Sequence, residues 1–222
     1  MEDILTLALA KGRLAEETFT LLEKMGIDCS EPRHPGRQLV LWDRANGLRF
    51  ILVKPGDVPV YVEHGVADLG VVGKDTLLEA GRPLYEVLDL QFGRCRLCVA
   101  GYEDRRGALV TRSTFRVATK YPNIARDYYA AKGQNIEIIE LHGSVELGPV
   151  IGLSDVILDI VESGATLAAN GLSVLEEVCD VSARLVVNRV SLKTKRERIR
   201  ALTGGLSAQV DAAKEEAGRN EA

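Results

Sequence analysis

The residues best suited to chemistry follow an apolar stretch in the second half of the chain. One acid, Asp159, interrupts that stretch. The loop after it contains Glu162, Ser163, Gly164, Ala165 and Thr166. Backbone amides of such a loop, at the start of a helix, can bind a phosphate, and an acid just upstream can accept hydrogen bonds from sugar hydroxyls. The spacing therefore suits a phosphorylated ribose, although a helix cap formed by Ser163 or Thr166 explains the same residues without a ligand.

A second set of candidates is cationic and lies in the first third of the chain. Lys11 and Arg13 follow a predicted strand and precede a predicted helix. Positive charge at a helix N-terminus opposes the helix dipole, so a purely structural role is less favourable there. Arg37 and Lys54 each flank a predicted strand, and Arg37 by itself would pass for a solvated surface arginine.

The pattern of the chain predicts alternating strands and helices that position these side chains. Predicted strands lie near residues 5–9, 38–42, 48–53, 68–73, 84–90, 97–101, 116–119, 136–141, 156–160 and 184–190. Such alternation predicts α/β layers around mostly parallel sheets, in two lobes with a central cleft between them. We expect domain I to comprise residues 1–91 and 181–222, and domain II residues 92–180 with the phosphate loop. The last segment is predicted to be helical, with an interruption at Gly204–Gly205.

The composition excludes several classes of protein. The 222 residues are 46% hydrophobic and 27% charged, with a formal net charge of -4, as in an ordinary soluble globular protein. A weakly acidic chain is a poor ligand for nucleic-acid backbones. Glu2 and Asp3 stand where a secretion signal would carry positive charge, and no apolar run reaches the length of a membrane span. We expect a cytoplasmic protein that binds neither nucleic acid nor membrane.

Cys95 and Cys98 have the spacing of a metal-binding pair. A zinc site needs two further ligands at matching spacing, which the isolated histidines His34, His64 and His142 do not supply. Both cysteines lie at a predicted strand and should point to opposite faces of it. We interpret them as core residues and expect no metal site built by the protein alone.

The segment D-I-V-E-S-G-A-T-L-A-A-N-G-L, at Asp159–Leu172, resembles the phosphoribosyl pyrophosphate loop of ATP phosphoribosyltransferases. Six further stretches are similar to the same family in the same order: Ala10–Arg13, Asp57–Gly65, Ala67–Asp75, Arg116–Pro122, Gly143–Leu147 and Ala183–Asn188. Any one match is weak, but the ordered set is specific. It extends from about residue 5 to residue 195, and the chain is thereby identified as a member of this family.

The resemblance implies an activity and a set of site residues. The reaction would transfer the 5-phosphoribosyl group of phosphoribosyl pyrophosphate to N1 of ATP, the first step of L-histidine biosynthesis. The fold would be two-lobed, like type II periplasmic binding proteins. Arg13 and Arg37 would be the catalytic residues: Arg13 would contact ATP or the pyrophosphate, and Arg37 would reach the leaving group. Mg²⁺ would be bound mainly through substrate phosphates. Phosphoribosyl pyrophosphate would be bound by Asp159, Glu162, Ser163, Gly164, Ala165 and Thr166. ATP would be bound by Lys11, Lys54, Gly73, Asp75 and Glu146.

Two positions depart from the family pattern. Lys54 stands where the family often has arginine, so the charge is kept but the bidentate fork is lost. Position 162 varies among members, which makes Glu162 a weaker candidate for a ribose contact than Asp159.

The resemblance also implies a partner. The chain ends about 30 residues after its last matching stretch, too few for the regulatory domain of the long form, so we expect the short form. Short-form members work in a hetero-oligomer with a regulatory subunit that resembles histidyl-tRNA synthetase, and a homodimer of catalytic subunits is expected. Two other hypotheses stand: a salvage phosphoribosyltransferase, which usually has adjacent acids before its loop, and a non-enzymatic two-lobed binding protein, whose fold would be the same.

Overall fold

The computed structural model describes residues 4–106 and 114–220. The chain divides into two compact units, Met1–Gly93 with Ser182–Ala222 (unit 1) and Arg94–Val181 (unit 2). Each unit contains one β-sheet with helices packed against it, so the predicted α/β class is confirmed. No helix in the described ranges is long and apolar enough to cross a membrane.

The elements follow the predicted alternation. The strands are β1 (Leu5–Ala10), β2 (Val40–Asp43), β3 (Leu48–Val53), β4 (Leu69–Gly73), β5 (Tyr85–Asp89), β6 (Cys95–Gly101), β7 (Phe115–Thr119), β8 (Ile136–Glu140), β9 (Val156–Val161), β10 (Ser173–Val181) and β11 (Ala183–Val187). The helices are α1 (Arg13–Lys24), α2 (Ser30–Arg33), α3 (Val58–Glu63), α4 (Lys74–Ala80), α5 (Pro122–Ala131), α6 (Leu147–Val150), α7 (Ala165–Ala169), α8 (Ser191–Thr194) and α9 (Arg196–Asn220).

The sheet of unit 1 has the order β2-β3-β1-β4-β11-β5. Strand β1 pairs in parallel with β3 and β4, and every residue of β1 is buried because helices cover both faces. Leu7 and Leu9 pack on one face with Phe19 of α1, while Ala8 packs on the other with Val62 of α3. The late strand β11 inserts between β4 and β5.

The sheet of unit 2 has the order β10-β6-β9-β7-β8. Strand β7 pairs in parallel with β8 and β9, whereas β6 is antiparallel to both of its neighbours. Cys95 packs in the cluster on one face of β6 and Cys98 in the cluster on the opposite face. The two thiols diverge as predicted.

Three features of the fold differ from the sequence-based expectations. The sheets are mixed rather than mostly parallel, because the β2–β3 hairpin and the returning strands β10 and β11 pair antiparallel. Strand β10 was not predicted. The expected interruption at Gly204–Gly205 was also wrong, since α9 runs through both glycines. A Cβ on Gly205 would lie 2.2 Å from Met25 Cε, so this glycine allows the end of α1 to pack closely on α9.

Candidate active site

Two positions in the fold are suited to ligands by topology alone. In unit 2 the chain passes from β7 to β8 on one side and then to β9 on the other. In unit 1 it passes from β1 to β3 on one side and then to β4 on the other. Such reversals open a crevice at the carboxyl ends of parallel strands, where α/β proteins bind ligands.

The predicted phosphate loop lies at the reversal in unit 2, between β9 and α7. Gly164 has φ +77° and ψ 4°, a left-handed conformation that L side chains disfavour. The Ser163 hydroxyl accepts a hydrogen bond from the Ala165 amide at 3.3 Å, so Ser163 bonds its own loop backbone, but no side chain caps α7. Asn170 Nδ2 donates to the Thr166 carbonyl at 2.8 Å and closes the helix. Because α7 has only five residues, an anion here would depend on local amides and hydroxyls more than on a helix dipole.

The acid of the motif is buried beside this loop. Asp159 is 8% exposed, and its Oδ1 lies 3.1 Å from Lys120 Nζ and 2.8 Å from the Ile160 amide nitrogen. Burial raises the pKa of the Asp159 carboxyl above its ordinary value, whereas the Lys120 ammonium opposes this rise. The charge of Glu146, also a predicted site residue, raises this pKa further. Asp159, Lys120 and Glu146 therefore form one electrostatic group.

Two further acids, Asp155 and Glu162, lie on either side of β9. Asp155 precedes β9, at the opposite end of the strand from the loop. Its Oδ2 accepts a hydrogen bond from the Arg116 amide at 2.9 Å, and it lies within 3.6–3.9 Å of the guanidinium groups of Arg105 and Arg116. It is thereby occupied as a structural acid. Glu162 follows β9 directly and is exposed.

The cationic candidates of unit 1 lie around its own reversal. Lys11 and Arg13 directly follow β1, and Lys54 directly follows the adjacent strand β3. The Lys11 amide donates to the Val53 carbonyl at 2.9 Å, which ties these two loops together. All three side chains are exposed, as cations that meet a soluble polyanion should be.

Gly73 ends β4 and Asp75 follows it in α4, at the same edge. Asp75 folds back so far that a Cβ on Gly73 would lie 2.2 Å from Asp75 Oδ1. Arg37 is exposed in the segment before β2. Because Val40 pairs with Ile51 near the carboxyl end of β3, this segment also approaches the edge that carries Lys54.

The structure adds one residue that the sequence reasoning left without a role. Lys120 belongs to a family-like stretch, Arg116–Pro122, but by itself it resembled any surface lysine. Its pairing with Asp159 depends on the parallel register in which Thr119 lies opposite Leu158. The register between strands 39 residues apart cannot be predicted from local sequence. The only sequence signal for Lys120 is a positive charge directly after a predicted strand.

Comparison with known proteins identifies the family. The family model for ATP phosphoribosyltransferase, HisG, matches residues 54–208. The ATP phosphoribosyltransferase of Lachnospira eligens is 54% identical over 209 residues, which cover 93% of this chain and 97% of the relative. This chain belongs to the ATP phosphoribosyltransferase family. The family predicted from the ordered motifs is confirmed.

Further relatives and solved structures agree with this membership. The ATP phosphoribosyltransferase of Thermoanaerobacter sp. strain X514 is 53% identical over 215 residues, covering 97% of this chain and all of that one. The ATP phosphoribosyl transferase (HisG:HisZ) complex from Thermotoga maritima aligns with a TM-score of 0.82 and 37% identity, over 94% of this chain and 100% of that chain.

A more distant neighbour supports the fold alone. The periplasmic aliphatic sulphonate binding protein SsuA from Escherichia coli aligns with a TM-score of 0.59 and 14% identity, over 99% of this chain and 72% of that chain. The predicted two-lobed, periplasmic-binding-protein-like class is therefore confirmed for this member of the ATP phosphoribosyltransferase family.

Proposed function

We propose that this chain transfers the 5-phosphoribosyl group of phosphoribosyl pyrophosphate to N1 of ATP, releasing pyrophosphate, as the first step of L-histidine biosynthesis. The observation that carries the proposal is the buried carboxylate of Asp159 directly before the left-handed Gly164 loop. This order places an acceptor for ribose hydroxyls beside donors for the ribose phosphate. Family membership supplies the second substrate and the reaction.

The reaction mainly requires that the two substrates are positioned and that the charge on the leaving group is stabilised. The nucleophile is a ring nitrogen with a lone pair, so a strong general base is not required. Negative charge accumulates on the departing pyrophosphate, and fixed cations lower the energy of that state. Arg13 and Arg37 are the residues to which we assign this role, and both are exposed.

The substrate contacts follow the two reversals of strand order. Asp159 would accept hydrogen bonds from the ribose hydroxyls, with Glu162 as a weaker candidate. Ser163, Gly164, Ala165 and Thr166 would hold the 5-phosphate through loop amides and hydroxyls. The proposed ATP contacts are Lys11, Lys54, Gly73, Asp75 and Glu146.

Mg²⁺ is proposed as an ion carried by the substrates. Within residues 4–106 and 114–220, no group of three or more His, Cys, Asp or Glu side chains could hold a metal. The acids near the loop suit hydroxyls and waters, and phosphate oxygens are the ligands that Mg²⁺ prefers. When bound in this way, the ion supplies charge neutralisation at the pyrophosphate.

The assembly proposed here follows the short-form family. We expect a regulatory subunit resembling histidyl-tRNA synthetase, a homodimer of catalytic subunits within the hetero-oligomer, and a cytoplasmic location. The solved relative from Thermotoga maritima is itself a HisG:HisZ complex, which supports a heteromeric partner. A histidine titration that strongly inhibits the isolated chain would contradict this assignment of regulation to the partner.

The test of the reaction is a continuous absorbance assay. The purified chain would be mixed with ATP, phosphoribosyl pyrophosphate, Mg²⁺ and pyrophosphatase, and the ultraviolet absorbance of the alkylated adenine followed. We expect a rise that requires both substrates. No rise, even with the partner subunit supplied, would refute the proposal.

The charge model is tested with arginine variants. Arg13→Ala and Arg37→Ala should each lower kcat by about 10- to 100-fold, because each removes a cation that acts mainly in the transition state. Arg200→Ala, an exposed arginine of α9, is the matched control and should retain native kcat. Equal activity in all three variants would remove Arg13 and Arg37 from the mechanism.

Two other functions are less well supported. A salvage phosphoribosyltransferase usually carries adjacent acids before its loop. Here Asp155 precedes β9, Asp159 lies within it, and Asp155 is engaged by Arg105 and Arg116. A binding protein would hold phosphoribosyl pyrophosphate without turnover, an outcome that the same assay detects.

A further inference from the structure

Lys120 is held in place by the turn that follows β7. The Thr119 hydroxyl donates to the Leu158 carbonyl of β9 at 2.6 Å and accepts a hydrogen bond from the Tyr121 amide at 2.9 Å. Thr119 is fully buried. This hydroxyl therefore fixes the backbone on both sides of Lys120 and aligns that residue with Asp159 of the neighbouring strand.

Only one carboxylate oxygen of Asp159 is engaged by the described residues. Its Oδ1 is engaged by Lys120 Nζ at 3.1 Å and by the Ile160 amide at 2.8 Å. Its Oδ2 accepts no hydrogen bond from any residue in the described part of the chain. A carboxylate held by one oxygen keeps a fixed rotamer and leaves the other oxygen as an acceptor for a ligand.

Several groups face this carboxylate. Lys120 comes from the turn after β7, Glu146 from the segment before α6, and the Cys98 thiol from the paired position on β6. Burial and Glu146 both disfavour the charged form of Asp159, while Lys120 favours it. Burial also raises the pKa of the Cys98 thiol, which keeps it neutral. Lys120 is therefore the side chain that offsets the cost of a buried charge.

We propose that Lys120 is a positioning residue for the phosphoribosyl donor, which keeps Asp159 ionised and presents Asp159 Oδ2 to the ribose hydroxyls. The inference rests on the proposed function, since it names how one residue of that site is prepared. Lys120 acts through Asp159 and not by contact with a phosphate. Its loss should therefore raise the KM for phosphoribosyl pyrophosphate far more than it lowers kcat or changes the KM for ATP.

The kinetic test compares two lysine–carboxylate pairs of unit 2. Lys120→Met should lower kcat/KM for phosphoribosyl pyrophosphate by about 10- to 100-fold, because a charge-assisted contact is lost at a buried acid. Lys120→Arg keeps the charge and should retain most of the activity. Lys132→Met is the matched control: Lys132 and Lys120 are 35% and 36% exposed, and Lys132 pairs at 2.6 Å with Glu176 on β10 instead. It should stay within about twofold of the native chain.

A pH profile and a double variant separate positioning from direct contact. The acid limb of kcat/KM should move to higher pH in Lys120→Met only, since phosphate groups of the substrate titrate alike in every variant. In an Asp159→Asn background, Lys120→Met should add less than about a twofold further loss, because both changes remove the same interaction. If the losses in kcat/KM of the two single variants multiply in the double variant, Lys120 acts independently of Asp159. That result would overturn the inference in favour of a direct contact with phosphate. An unmoved acid limb would also overturn it.

A titration that needs no turnover distinguishes this inference from the proposed function. Carbon-13 NMR would follow the Asp159 carboxyl, assigned by its absence in Asp159→Asn. The titration midpoint should rise in Lys120→Met and stay unchanged in Lys132→Met, and circular dichroism would verify that each variant is folded. An unchanged midpoint refutes the role of Lys120 whether or not the chain is active. If the native chain shows no turnover but the titration midpoint of Asp159 still rises in Lys120→Met, only the proposed function is refuted.

Discussion

The two sheets of this protein present opposite chemistry at corresponding places. At the reversal of strand order in unit 1, the side chains after β1 and β3 are exposed cations, Lys11, Arg13 and Lys54. At the reversal in unit 2, the central side chain is a buried acid, Asp159, paired with Lys120. Exposed cations attract a polyanion from solution with little structural cost. A buried carboxylate is costly to build and is therefore the more specific of the two devices.

The strongest test of this contrast is Asp159→Asn. We expect kcat/KM for phosphoribosyl pyrophosphate to fall by about 100-fold or more, since a charged acceptor at a buried position becomes a neutral amide. The KM for ATP should change little. Asp127→Asn, an exposed acid on α5, serves as the control. Full activity in Asp159→Asn would remove the contrast altogether.

The same variant should be more stable than the native chain. Burial raises the pKa of Asp159 in the folded state, so the folded protein binds the proton more tightly than the unfolded chain does. Folding stability therefore falls as pH rises through the window between the two pKa values, and the charged form is the destabilising one at neutral pH. Thermal melting at pH 7 should show a higher Tm for Asp159→Asn, and a clearly lower Tm would contradict this reading of the carboxylate.

Gly164→Ala sharpens the contrast at the loop. A left-handed alanine costs about 1–2 kcal/mol, so the loop should relax away from its conformation and raise the KM for phosphoribosyl pyrophosphate roughly tenfold. Gly152→Ala is matched in backbone, with φ +75° against +77° and no neighbouring atom within 4 Å. It should lose similar stability in a melting experiment without any change in that KM. Parallel KM changes in both variants would mean that strain alone is being measured.

Lys11→Met tests the exposed cations that follow β1 and β3 in unit 1. Interactions of exposed charges are screened by salt, so this variant should raise the KM for ATP by about threefold at low ionic strength, with a smaller difference in concentrated KCl. Lys24→Met, an exposed lysine at the end of α1, should match the native chain at every salt concentration. A salt-independent defect would indicate that Lys11 acts as a buried contact and not as a diffuse charge.

The smallest effect on activity is expected in α9, away from the candidate site residues of both units. Gly205→Ala should destabilise the fold by about 1–3 kcal/mol through overpacking, because the added Cβ would meet Met25 at 2.2 Å. Gly204→Ala has open space at the same step and should gain up to about 1 kcal/mol from helix propensity. Denaturant titrations would measure both, with KM values for either substrate unchanged.

Local patterns were enough to predict most of the elements, and the ordered motifs were enough to predict the family. Strand β10 was not predicted because its polar and apolar residues do not alternate regularly. Its pairing with β6 shifts register between Val174 and Glu176 and again between Glu177 and Cys179. The Gly204–Gly205 pair misled because two glycines ordinarily weaken a helix, whereas here one of them makes room for Met25. The partnership of Lys120 with Asp159 depends on strand order, which is a property of the whole sheet.

The insertion of β11 between β4 and β5 has a consequence for how the protein is made. Unit 2 is contiguous from Arg94 to Val181, so a ribosome has delivered all of it before residue 183 appears. The sheet of unit 1, although begun first, lacks an interior strand until Ala183–Val187 emerges. Until then β4 and β5 each expose an unpaired backbone edge, the kind of edge that recruits other chains. The sheet of unit 1 can therefore be completed only after all of unit 2 has been synthesised, and we expect nascent chains stalled between residues 93 and 183 to be prone to misassembly.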